Sequence, residues 1–280
     1  MRILVTGGAG FIGQHVMANL RQQGHIPISF DHRMPTDFLG DTRDYTAVSE
    51  AVAITEGVIH LAGVLGTSET IKEPQPAVET NILGGLNVFK AVEHYGKKAV
   101  YIAVGNHWMN NTYSITKTTA ERFAFMFNRE RGTKIAVVRA LNAYGPGQKS
   151  EPVRKIMPNL ILPALRNEEI TIYGDGSQVM DMIHVRDVAE VLTRALLTEH
   201  GIYHRVFEAG TGRVTTVQQI AEEVIRQVGK GRIKHVPMRQ GEPPKSTVLG
   251  DPRTLAPLGE FKFIPLEKGI AETIAYYAGK

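Results

Sequence analysis

The chain contains no cysteine, which excludes disulfides, thiolate-bound zinc, iron–sulfur clusters and a thiol nucleophile at one stroke. No run of 18 apolar residues occurs in it, so no segment is long enough to span a membrane. The opening stretch from Met1 is broken by Gly7 and Gly8, too early for the apolar core of a signal peptide. No Lys/Arg run reaches five residues, and 32 basic against 28 acidic side chains leave a net charge of only +4. So even a balance gives no reason to expect a nucleic-acid partner. No grouping of His, Asp and Glu has metal-ligand spacing, and no metal is expected. What remains is a cytoplasmic, membrane-free protein, whose 280 residues at 42% hydrophobic content supply a sizeable core.

Short β-branched runs alternate with longer amphipathic stretches. Strands are expected at Arg2–Thr6, Ile26–Phe30, Phe38–Leu39, Val58–Ala62, Lys98–Val104 and Lys134–Ala140. Between them lie helices at Phe11–Gln23, Asp44–Ala53, Pro76–Tyr95 and Tyr113–Arg131. Such alternation implies βαβ crossovers, hence an α/β fold with a Rossmann-type, doubly wound parallel sheet. After Tyr144–Gly147 the texture changes: Pro146, Pro152, Pro158 and Pro163 fall within 18 residues. Residues 1–147 are therefore expected to form a dinucleotide-binding domain and residues 148–280 mainly a smaller C-terminal α/β lobe. One strand near 205–210 should return to the main sheet. Helices 76–95 and 113–131 are apolar around more of their circumference than one sheet contact requires, which predicts a homodimer interface over simple burial.

The segment Thr6-Gly-Gly-Ala-Gly-Phe-Ile-Gly13 joins the first strand to the first helix. Gly7, Gly10 and Gly13, with Phe11 and Ile12 between them, form a loop whose backbone N–H groups can approach a pyrophosphate at the positive helix end. Asp31 follows the second strand, placed to accept from both ribose hydroxyls and to repel a 2′-phosphate. The cofactor expected is NAD rather than NADP, with Arg33 the one residue that speaks for NADP.

Tyr113 and Lys117 lie four apart on one helix face, above the carboxyl ends of the strands. An ammonium beside the phenol would favour the phenolate and bring it towards working pH. A second Tyr-x-x-x-Lys match, Tyr276 with Lys280, sits at the C-terminus and carries no such position. His107, beside the only tryptophan, Trp108, reads equally as an acid–base group or as a loop histidine. His60 and His184 read as structural, and Asp187 as a helix cap.

Together these segments resemble the extended short-chain dehydrogenase/reductase family of NAD-dependent sugar-nucleotide epimerases and dehydratases. The resemblance runs nearly end to end. It implies adenine contacts at Asp41 and Thr42, a cofactor wall at Leu61, Ala62 and Gly63, and a helix Asn at Asn81. It implies catalysis by Tyr113 and Lys117, and substrate contacts at Asn142, within Arg139–Pro146, and at Arg239. The chain departs from the family in four places, one of them an insert before Tyr113 shortened to a few residues. Where the family has a Ser or Thr after the fifth strand, this chain reads Ala103-Val-Gly-Asn-His-Trp-Met109, leaving Asn106 or His107 to supply that hydrogen bond. No carboxylate lies in 106–112 to drive elimination, and Met180 occupies the place of a phosphate-binding Arg. The expected activity is conversion of a nucleotide-linked sugar through a transient 4-keto intermediate, C4 epimerisation first. Dehydration or decarboxylation on the same scaffold is the alternative, followed by a catalytically weak NAD- or nucleotide-sugar-binding protein.

Overall fold

Seven parallel strands build the central sheet in the computed structural model, which describes residues 1–153, 155–199 and 203–279. The chain alternates β1 (Arg2–Thr6), α1 (Phe11–Gln22), β2 (Ile26–Asp31), β3 (Phe38–Leu39), α2 (Tyr45–Ala53) and β4 (Gly57–His60). It continues through short helices α3 (Glu69–Lys72) and α4 (Gln75–Ala77) to α5 (Gly85–His94), β5 (Lys98–Val104), α6 (Thr112–Arg131) and β6 (Lys134–Ala140). The strand order is β3-β2-β1-β4-β5-β6, extended at the far edge by a later strand, Val206–Ala209, which pairs in parallel with β6. The inner strands are buried along almost their whole length, as continuous Val/Ile/Leu runs demand when helices cover both faces. One apolar core lies on each face of the sheet.

The remainder carries β7 (Asn142–Tyr144), α7 (Ile156–Leu165), β8 (Glu169–Tyr173), β9 (Val179–Met180), β10 (Met182–His184), α8 (Val185–Leu197), the edge strand β11 (Val206–Ala209), α9 (Val217–Val228), β12 (Arg232–Val236), β13 (Thr247–Val248) and α10 (Leu266–Ala278). Apart from β11 its strands pair only in twos, all parallel: β10 with β7, β12 with β8, β13 with β9. A third core, built from α7, α9, α10 and β8, holds these pairs together.

Two local expectations are corrected. The helix expected over 76–95 is a continuous helical run whose middle, Val78–Gly84, is wound as a π-helix. The wider turn coincides with Asn81, whose amide is drawn inward to bond both backbone groups of Val64; π-turns occur frequently where a helix serves a site. The helix expected to start at Asp187 begins instead at Val185, capped by the His184 ring, which accepts from the N–H of Arg186. Asp187 is buried in the first turn and accepts from the N–H of Ile264. Lys280, the second member of the C-terminal Tyr-x-x-x-Lys match, lies outside the described residues. Among the described residues, no helix is long and apolar enough to cross a membrane.

Candidate active site

The carboxyl ends of β1, β2, β4, β5 and β6 open onto one continuous cleft of about 700 Å³. Strand order reverses between β1 and β4, the place in such sheets where a crevice forms and ligands bind. The cleft runs from the glycine loop, past the first turns of α6, to the start of α7 and the segment after β12.

At the loop end, the geometry is set by backbone. Gly7 has φ +72°, a conformation open to glycine, and a Cβ there would lie 2.9 Å from the amide nitrogen of Ala62. A Cβ on Gly13 would overlap the carbonyl oxygen of Gly7 and lie 2.8 Å from Gly8 Cα. Gly10 begins α1 without a side-chain cap, leaving first-turn N–H groups and the positive helix end facing the cleft. Asp31, its side chain almost fully buried, accepts from the N–H of Ala9 (3.2 Å) and of Arg33 (3.1 Å). The guanidinium of Arg33 turns onto the same carboxylate at 3.4 Å. Phe11, Ile12, Asp41, Thr42, Leu61, Ala62 and Gly63 all line this end.

Asn81 does not. It is buried behind the wall, where its amide donates to the carbonyl of Val64 (3.1 Å) and to Thr116 Oγ1 (3.0 Å) and accepts from the N–H of Val64 (2.8 Å). Its reach to the cleft is indirect, through the segment it fixes. His60 has the same standing. Its Nδ1 lies 2.7 Å from the Thr6 hydroxyl, which also accepts from the N–H groups of Leu61 and Ala62. Complete burial, then the charge of Lys117, push the His60 imidazole down to about 3, so it stays neutral.

Tyr113 and Lys117 both line the floor of the cleft, carried by α6. Asn111 caps that helix by accepting from the N–H of Ser114 at 3.0 Å, which sets Tyr113 in the first turn. Their electrostatics reverse the expectation from spacing. Burial pushes the phenol of Tyr113 up to about 12. Burial also pushes the Lys117 ammonium down to about 7, against the pull of Glu121, and its Nζ sits 4.3 Å above the Tyr101 ring. Desolvation disfavours the charged form of each, so the protein alone does not hold a phenolate at neutral pH.

The loop after β5 separates the two candidates for the missing hydroxyl. Asn106 lines the cleft close to the floor, its amide donating to Met109 Sδ at 3.5 Å. His107 is not among the cleft residues. Its Nδ1 lies 3.3 Å from the carbonyl oxygen of Gly105, and its Nε2 is 3.4 Å from the guanidinium of Arg139, which is ion-paired to Glu121 at 2.6 Å. With its ring turned towards that ion pair behind the loop, His107 does not line the cleft, and Asn106 does.

Beyond Tyr113, the cleft is lined by Asn142, whose amide donates to the carbonyl of Asp181 (3.2 Å), by Met180 and by Arg239. Arg239 bonds Glu242 and lies 5.0 Å over the Tyr173 ring. Asp181 is fully buried: its carboxylate accepts from the N–H groups of Thr211, Gly212 and Gly250 and from the Thr211 hydroxyl. Sequence reasoning missed Lys155 and Glu242, both of which line this end. One signal for Lys155 was available: it is a cation at the start of a helix, where the dipole disfavours positive charge.

The arrangement can hold an elongated anionic ligand at the glycine loop and a second polar ligand between Tyr113 and Arg239, with a phenol and an amine between them to move a proton. A family model described as the NAD dependent epimerase/dehydratase family matches residues 3–210. Among solved structures, UDP-glucose 4-epimerase from Thermotoga maritima with UDP-glucose is 29% identical with a TM-score of 0.91, covering 100% of this chain and 99% of that one. The NAD complex of UDP-glucose 4-epimerase from Thermus thermophilus is 26% identical with a TM-score of 0.88, at the same coverage. A curated relative, UDP-N-acetyl-alpha-D-glucosaminuronate decarboxylase from Bacillus cytotoxicus, is 25% identical over 86% of this chain and 85% of its own.

Proposed function

The chain belongs to the NAD-dependent epimerase/dehydratase family, and from that premise we propose that it converts a nucleotide-linked sugar through a transient 4-keto intermediate, by C4 epimerisation. The observation that carries this reading is one cleft in which an uncapped, glycine-lined helix start, a buried Tyr113–Lys117 pair and Arg239 stand in succession. We assign residues 1–147 to cofactor binding. Residues 148–280, apart from the strand that returns to the sheet, mainly bind substrate.

The glycine loop fits NAD: Gly7 and Gly13 leave no room for a Cβ against the backbone of Ala62, Gly7 and Gly8, so the turn stays tight and the uncapped start of α1 faces the cleft. Gly7, Gly10, Phe11, Ile12 and Gly13 would hold the pyrophosphate, Asp31 a ribose, Asp41 and Thr42 the adenine, and Leu61–Gly63 the inner wall. NAD supplies a hydride acceptor and donor together with the positive charge of its oxidised ring. Bound there, that charge would favour the Tyr113 phenolate, which burial alone opposes. Tyr113 then takes the proton of the sugar 4-hydroxyl as C4 is oxidised to the ketone, and returns it when C4 is reduced on the opposite face. Lys117, which lines the same floor, would hold the cofactor's ribose. Asn106 offers an amide hydrogen bond in place of a hydroxyl, so it can orient the sugar oxygen but cannot relay its proton. Asn142 and Arg239 hold the substrate. Decarboxylation through the same ketone is the second reading, favoured over dehydration because residues 106–112 bring no carboxylate to the cleft.

The test is a turnover panel of UDP- and dTDP-linked hexoses and hexuronates. Tyr113→Phe should lower kcat by about 10²–10⁴-fold with NAD still bound. A variant as fast as the wild type removes Tyr113 from its role, and a wild type that converts nothing removes the enzymatic reading. We also propose a homodimer through 76–95 and 113–131. Val78, Leu83 and Ile115 are exposed there, beside half-buried Leu86, Phe123 and Met126. Leu83→Glu with Ile115→Glu should halve the sedimenting mass, and an unchanged mass rules this surface out.

A further inference from the structure

His107 stands behind the loop that carries Asn106, between two partners that fix its tautomer. Its Nδ1 lies 3.3 Å from the carbonyl oxygen of Gly105 and its Nε2 3.4 Å from the Arg139 guanidinium. A carbonyl oxygen only accepts and a guanidinium only donates. One form of the ring satisfies both: the hydrogen on Nδ1 donated to Gly105, and the lone pair of Nε2 turned to Arg139. Arg139 is itself held in place. It forks onto Glu121 of α6 at 2.6 and 2.9 Å and lies 3.6 Å from Glu208 of β11. The half-buried ring therefore rests on an anchor drawn from β6, α6 and β11.

What the ring grips in front is the peptide unit that leads into Asn106, since the Gly105 carbonyl belongs to that plane. The Asn106 carbonyl accepts from the N–H of Met109 (3.0 Å), and the His107 carbonyl accepts from the Thr118 hydroxyl of α6 (3.3 Å). Three carbonyls in a row are thus tied down, the first of them by the His107 ring. Held this way, the loop presents Asn106 to the cleft, beside Met109 and Tyr113. The Asn106 amide donates to Met109 Sδ at 3.5 Å, a weak acceptor that a sugar oxygen readily displaces.

Resting on the reading in which Asn106 orients the reacting sugar oxygen, we propose that His107 is a positioning residue: its ring bridges Gly105 to Arg139 and so aims the Asn106 amide at that oxygen. His107 touches neither sugar nor cofactor and acts through Asn106 alone. The gain is pre-organisation, because a donor already in place loses little freedom as the transition state forms.

The experiment compares NAD-loaded wild type with His107→Gln, His107→Asn and His107→Leu on the nucleotide sugar that the wild type converts. Gln can place an acceptor where Nε2 stands and keep the Arg139 contact, Asn is too short to reach Arg139, and Leu offers neither contact. His107→Leu should lower kcat by about five- to tenfold, with KM and the NAD Kd within about twofold of wild type. His107→Gln should keep kcat within about threefold, with His107→Asn between the two. Added to Asn106→Ala, His107→Leu should cost nothing further, because the amide it aims is gone. Trp108, the single tryptophan, is exposed on the same loop, so its time-resolved anisotropy reads the loop without turnover. That anisotropy should decay further in His107→Leu and match wild type in His107→Gln. Unchanged kcat or unchanged anisotropy in His107→Leu overturns the positioning role and leaves the nucleotide-sugar reading standing. So do losses that multiply with Asn106→Ala, and so does a loss carried by KM or Tm with kcat held, which would make the ring merely structural. A wild type that converts no nucleotide sugar overturns both together.

Discussion

At the glycine-loop end of the cleft the ligand surface is built largely on the loop from Gly7 to Gly13, backed by the carboxylate of Asp31 and flanked by Asp41, Thr42 and Leu61–Gly63. At the opposite end it is made of side chains drawn from far apart in the chain: Asn142, Lys155, Met180, Arg239 and Glu242. The first end sits on a seven-stranded sheet with a core on each face. The second sits on two-stranded ladders joined to that sheet through one of its cores, which includes Ile183 and Val248, and through a few polar contacts. Asp181 is chief among these. It lies between β9 and β10, yet its carboxylate gathers the N–H groups of Thr211 and Gly212, just beyond β11, and of Gly250. A helix dipole and bare amides recognise a phosphate common to many nucleotides, whereas placed side-chain charges can distinguish one substrate from another.

The contrast can be broken from either side. The largest effect is expected from Asp181→Ala, which strands the N–H of buried Gly250 and those of partly buried Thr211 and Gly212 and should lower stability by about 3–5 kcal/mol in urea unfolding. Under conditions where it stays folded, it should lose UDP binding before NAD binding. A loss below about 1 kcal/mol would mean that the ladders hold their place without this carboxylate. Next, Gly13→Ala forces a methyl group into the Gly7 carbonyl and should destabilise by about 1–3 kcal/mol. It should weaken NAD while sparing UDP, so an unchanged NAD Kd erases the distinction between the two ends. Asn106→Ala should reduce kcat by roughly tenfold, about 1.4 kcal/mol of transition-state stabilisation, with KM nearly constant. If kcat is indifferent, Asn106 does not orient the reacting oxygen.

The smallest effect is a control away from the cleft. Burial raises the Asp187 carboxyl to about 6. Between its ordinary value of 3.8 and about 6, the folded protein holds a proton that the unfolded chain releases, so stability falls as pH rises through that window. Asp187→Asn keeps an acceptor for Ile264 and should add about 1 kcal/mol at pH 8 but little at pH 4, with turnover unchanged. A gain at both pH values would assign the effect to packing instead.

How far each part could be read from sequence follows the same division. The glycine loop, Asp31 and the Tyr113–Lys117 pair are legible because their chemistry rides on fixed offsets along one strand–turn–helix or one helix face. The long buried strands are legible because uninterrupted Val/Ile runs leave few other conformations. β7, β9 and β13 are two or three residues long and carry no period to detect. Asn81 and His107 were candidates by position alone, and neither lines the cleft, because Val64 and Arg139 offered them buried partners. Lys155 escaped notice because its one local signal, a cation at a helix start, does not say that the side chain is enclosed in the cleft.

The amino-acid order by itself determined the alternation of strands and helices, the family, and the identity of the groups that move a proton and cradle a phosphate. These rest on short-range geometry: the period of a helix, the reach of a turn, the lack of a Cβ. Only the tertiary structure decided which way His107 faces, that Tyr113 is driven away from ionisation instead of towards it, and that Lys155 lines the cleft with no ion-pair partner among the described residues. Orientation and desolvation are set by what packs around a group, and those neighbours come from segments that no local pattern connects.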